Sequence, residues 1–237
     1  MRRDVLRASS ALLVFLALCS VPSQGQTVSP VIVEYVEKAQ GKFEVINNSV
    51  YPLNVVLEPR SFSVDASGNP TFYPLDPGIR VRLSSMSFRL PAHQTYVVFY
   101  EAGADRLPAW FTIYATVAAP PTTKGMKIAL ALPHTVYLLT KKSLAPDSVR
   151  FIRAEYLAGQ RCVEVEVENR GEEFGRVREA EIISASGKKT YASFPLFPGQ
   201  RRTLRLEWEE SREPQSVVLK FRHFKVEHRI RRAAGSQ

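Results

Sequence analysis

From Arg161 to Glu168 the chain reads Arg-Cys-Val-Glu-Val-Glu-Val-Glu, with every valine on one parity and every glutamate on the other. An α-helix would scatter those valines around its circumference, whereas a strand lines them up on one face. The segment therefore predicts an antiparallel strand with a buried and a wet face, Cys162 falling on the glutamate side. The same period of two recurs at Phe43/Val45, Leu53/Val55/Leu57, Leu204/Leu206/Trp208 and Val217/Leu219/Phe221. Between these runs stand Ser67-Gly-Asn-Pro70, Asp76-Pro-Gly78, Ser186-Gly-Lys188 and Phe197-Pro-Gly199, where glycine and proline supply turn geometry. Short strands separated by such turns predict an all-β protein built as sandwiches or barrels.

A length of 237 residues exceeds what one such sandwich needs. The apolar pattern breaks at Thr140-Lys-Lys-Ser-Leu-Ala-Pro-Asp-Ser148, in charge, proline and serine. The expected organisation is a first domain over residues 26–140, a linker over 141–148 and a second domain over 149–237 ending in a basic tail. Each domain has room for about seven strands, the complement of an immunoglobulin-like sandwich. No repeat of solenoid period is visible.

The first 25 residues carry Arg2, Arg3 and Arg7, then the apolar run from Ala11 to Leu18, then small residues Ser23 and Gly25 before a cut. That is the pattern of a secretory signal peptide, too short to serve as a membrane anchor. Its removal takes away Cys19 and leaves Cys162 as the one cysteine, so an internal disulfide is excluded. The net charge of +9 falls to +7. For an exported chain such a charge fits solvated strands better than a nucleic-acid partner, and stable membrane insertion is not expected.

Catalytic chemistry finds no foothold in the pattern. The four histidines, His93, His134, His223 and His228, have no ligand spacing, so no metal or other cofactor is expected. Ser186-Gly-Lys-Lys-Thr190 has the tail of a phosphate loop but Ile182 where its first glycine belongs, which makes it a hairpin turn. No Gly-x-Ser-x-Gly elbow is present. The chain is expected not to be an enzyme.

One constellation goes further: Phe43-Glu-Val-Ile-Asn47, Phe88-Arg-Leu-Pro91 leading to Gln94-Thr-Tyr-Val-Val98, Arg106-Leu-Pro-Ala-Trp-Phe-Thr-Ile113, Met126 to Leu132 and Val136 to Leu139. In this order it resembles the amino-terminal domain of the PapD-like periplasmic chaperones of pilus assembly. Val167-Glu-Asn169 and Phe197-Pro-Gly-Gln200 are similar to that family's second domain. The resemblance implies two immunoglobulin-like sandwiches in tandem and a chaperone for exported subunits with an incomplete β-sandwich, with an outer-membrane usher as a further partner. It implies that Ile128, Leu130 and Leu132 on the last strand of the first domain complete the client's core by donor-strand complementation. The competing reading is that these side chains face their own core. Without a use, so long and apolar an edge would be an aggregation hazard.

The resemblance stops at the anchors. Pilus chaperones hold the client's terminal carboxylate with an Arg of the first strand and a Lys of the last. Here Thr27 to Val36 contains no basic residue, and the Lys position falls near Val136. Lys127 and His134 are the candidate substitutes. An exported structural or adhesive module with no client is the alternative that this departure keeps open.

Overall fold

Phe43 and Val45 are buried while Glu44 between them is half-exposed, and the alternation continues along strand after strand. The computed structural model describes residues 25–118 and 129–233. Ten strands form the first part: β1 (Thr27–Ser29), β2 (Ile32–Val36), β3 (Lys38–Ile46), β4 (Leu53–Val64), β5 (Pro70–Pro74), β6 (Ile79–Leu83), β7 (Ser87–Leu90), β8 (Thr95–Ala104), β9 (Ala109–Ala118) and β10 (Ala129–Leu139). They make two sheets, β1-β3-β8-β6 and β2-β10-β9-β4-β5, with β7 added beside β4. Phe43, Val45, Leu57, Phe111, Ile113, Val136 and Leu138 fill the space between them. Burying each is worth about 1.5–3 kcal/mol, which is why the register cannot slip.

The second sandwich holds β11 (Val149–Leu157), β12 (Cys162–Asn169), β13 (Gly175–Val177), β14 (Glu179–Ser184), β15 (Gly187–Tyr191), β16 (Phe194–Leu196), β17 (Arg201–Glu207), β18 (Pro214–Lys220), β19 (Lys225–Arg229) and β20 (Arg231–Arg232). Its sheets are β17-β12-β11-β20 and β15-β14-β18-β19, with the short pair β13-β16. Val163, Val165 and Val167 are buried against Ile182, Leu196, Trp208, Val217 and Leu219. The glutamates of β12 meet arginines of both neighbours, Glu164 with Arg153 and Glu168 with Arg201. Cys162 is buried despite its glutamate parity. The chain is thus all-β with two sandwiches in tandem. The strands outnumber the seven expected for each half, in part because the first one divides: β1 joins one sheet, and past Pro30 β2 joins the other.

Both sandwiches use one corner device. Asn47 at the end of β3 donates from Nδ2 to the carbonyls of Tyr51 (2.8 Å) and Pro91 (2.9 Å) and accepts the Ser49 amide at Oδ1 (3.0 Å). Asn169 at the end of β12 donates to the carbonyls of Glu173 (2.8 Å) and Leu196 (3.2 Å) and accepts the Gly171 amide (2.9 Å). The Asn47 and Asn169 amides then donate to the carbonyls of Gln94 and Gln200. Each buried amide side chain is satisfied by main chain, which makes its burial affordable.

A third apolar cluster lies between the sandwiches, where Phe62 and Tyr137 of the first meet Phe174 and Phe197 of the second, with Trp110 against Phe197. The β4–β5 turn reaches across as well. The Ala66 carbonyl accepts the Thr203 amide at 2.8 Å, and the Val64 carbonyl accepts Gln200 Nε2 at 2.8 Å. Gly68, at φ +98°, lies so close to the Arg202 guanidinium that a Cβ there would collide with it.

Candidate strand-pairing site

Antiparallel β9 pairs with β10 along nearly its whole length, from Ala129 opposite Ala118 to Leu138 opposite Ala109. Parallel β2 covers the other side only from Thr135 to Leu139. Among the described residues, 129–134 therefore present a free strand edge. It is free because the chain crosses from one sheet to the other just before Ile32, so β2 begins too late to cover it.

Even-numbered side chains of β10 point between the sheets, and their burial grows along the strand. Leu130 is 44% exposed, Leu132 is half-buried against the first core, and His134, Val136 and Leu138 are buried. The sandwich is therefore open at the Leu130 end and closed at the Leu138 end. Leu130 and Leu132 share one face, beside the free edge; Ile128 and Lys127 lie outside the described residues. Odd-numbered Ala129, Ala131 and Pro133 are exposed on the opposite face, where Tyr137 instead enters the cluster between the sandwiches.

His134, expected as a candidate substitute anchor, lies inside the first sandwich. Its imidazole has no solvent exposure and lies stacked on Phe43 with ring centroids 4.5 Å apart. Nδ1 is 2.6 Å from the Pro30 carbonyl and Nε2 is 3.0 Å from the Tyr100 hydroxyl. A carbonyl only accepts, so Nδ1 carries the proton and the Nε2 lone pair faces the Tyr100 hydroxyl. Burial pushes the imidazole below the usual histidine range, with the Pro30 hydrogen bond acting against it. Tyr35 Oη lies 3.2 Å from Tyr100 Oη, and both hydroxyls sit over Gly41, where a Cβ would strike them. Burial, reinforced by Tyr35, pushes the Tyr100 phenol well above its ordinary value, so it stays neutral.

β2 carries no basic residue, and its Glu34 is paired with Arg176 of β13. The Arg176 guanidinium lies 4.8 Å over the Tyr137 ring. This pair ties β2 of the first sandwich to β13 of the second. It was not foreseeable from sequence, because 142 residues separate its partners.

No family model matches the chain, and no curated protein matches it. Solved structures do. The class 5 fimbriae chaperone CfaA superposes with a TM-score of 0.54 at 12% identity, over 87% of this chain and 99% of that one. The YadV chaperone gives 0.54 at 11% identity, over 86% and 98%. A structure of the Salmonella enterica SafA pilin in complex with the SafB chaperone gives 0.54 at 12% identity, over 89% and 98%. The fold is that of the PapD-like fimbrial chaperones. At such identities the likeness is one of fold alone.

Proposed function

We propose that this protein is an exported, non-enzymatic assembly chaperone that offers the β10 edge to secreted subunits with an incomplete β-sandwich. The observation that carries this reading is the edge at 129–134, which no strand among the described residues pairs, beside an opening where Leu130 is exposed. An incoming strand would find main-chain groups at the edge and the Leu130 and Leu132 side chains to fill its own core. The likeness in fold to fimbrial chaperones, one of them solved with a pilin, supports that class of partner. An usher would be the next partner in line. The signal-peptide pattern of residues 1–25 supports the periplasm as the site of that work, and the linker at 141–148 is our division between the two working domains. No helix among the described residues is long and apolar enough to cross a membrane.

Affinity purification from the native envelope, with mass spectrometry of what stays bound, tests the reading. An exported β-rich subunit is expected to co-purify and to lose affinity roughly tenfold or more on Leu130→Glu, with circular dichroism unchanged. The second reading, an exported structural or adhesive module, draws on the lack of a basic residue from Thr27 to Val36. It wins if the folded protein elutes alone.

A further inference from the structure

The main chain of β10 alternates in the neighbour it serves. The Thr135 amide donates to the Val31 carbonyl at 2.7 Å, and the Leu139 carbonyl accepts the Glu37 amide at 2.7 Å. Odd-numbered residues therefore turn their polar groups toward the β2 side, while even-numbered ones serve β9. The register with β9 runs from Ala129 to Leu138 without a shift, so the same parity carries back to Pro133, Ala131 and Ala129. These three direct their main-chain groups at the edge that no strand among the described residues pairs. Pro133 offers a carbonyl there but no N–H, and its ring fills the space an incoming acceptor would need. Because of its parity it removes no donor from the β9 ladder.

We propose that Pro133 is a pairing stop, which ends the usable edge of β10 at Ala131 and blocks the edge-to-edge pairing of two copies of this chain that is centred on Ala131. An edge held open for one partner must refuse itself, so this role rests on the client-pairing reading above. A two-fold antiparallel pairing centred on Ala131 would set Ala129 of each copy opposite Pro133 of the other. In both pairs the bond from residue 133 lacks its donor. Moving the centre toward Thr135 meets the edge that β2 already occupies.

Sedimentation velocity on the purified protein decides the matter, comparing wild type with Pro133→Val, Pro133→Ala and the doubly substituted Ala131→Pro, Pro133→Val chain. Wild type is expected to sediment as a monomer. Pro133→Val is expected to dimerise with a dissociation constant roughly tenfold or more lower, and the added Ala131→Pro to reverse this. Pro133→Ala serves should the valine not fold. A wild-type dimer through this edge, folded Pro133 variants that sediment as wild type does, or a dimer indifferent to Ala131→Pro would each overturn the pairing stop. Such a failure would leave client capture and its loss on Leu130→Glu untouched. Conversely, capture that survives Leu130→Glu overturns the client reading and leaves the sedimentation result standing.

Discussion

Asn47 and His134 are polar side chains placed where apolar ones would pack more cheaply, and each is kept by bonds to main chain. Removing the amide in Asn47→Ala leaves the Tyr51 and Pro91 carbonyls without their donor. A loss of about 1–3 kcal/mol is expected, read from the urea midpoint. Asn169→Ala is expected to cost a similar amount. His134 imposes a pH dependence whose sign follows from burial. Its folded value lies below its unfolded one, so the unfolded chain binds the extra proton first, and stability falls as pH drops through the ordinary histidine range near 6.5. The melting temperature is expected to decline from pH 7.5 to pH 5.5 in wild type, and less steeply in His134→Gln. An equal slope in both would assign the decline to other groups.

At the scale of one element, β10 serves three surroundings along eleven residues. Its start is an exposed edge, its middle enters the first core, and its end packs Tyr137 against the second sandwich. The two leucines should therefore separate in their effects. Leu130→Glu places a charge on an exposed site and is expected to shift stability by less than about 1 kcal/mol, since surface changes are usually small. Leu132→Glu puts its carboxylate against the first core and is expected to cost about 1–3 kcal/mol. Chemical denaturation of the two variants side by side checks the difference. Equal losses would mean that the opening beside Leu130 is closed in solution.

Across the whole molecule, the cluster of Phe62, Tyr137, Phe174 and Phe197 and the turn that places Ala66 against Thr203 join two sandwiches that each have a core of their own. Coupled cores melt together, whereas uncoupled ones melt separately. Phe197→Ala removes the ring that touches Phe62, Trp110, Tyr137 and Phe174. Loss of a buried Phe typically costs about 3–5 kcal/mol. Scanning calorimetry is expected to turn one transition into two in this variant; a single transition at lower temperature would mean that the cores are coupled elsewhere.

Alternation is a local signal, so Val163, Val165 and Val167 announced a strand, and Phe197-Pro-Gly-Gln200 a turn, before any fold was known. The all-β class, the tandem sandwiches and the shared parity of Leu130 and Leu132 were legible for that reason. What local pattern cannot express is which strand lies beside which. That β2 stops covering β10 at Thr135, that His134 finds Pro30 and Tyr100 instead of solvent, and that Glu34 finds Arg176 are all contacts between distant parts of the chain. The alternation of residues determined which faces could be buried. Tertiary pairing decided which edge was left free, because an edge is open only where no other strand arrives to share its hydrogen bonds.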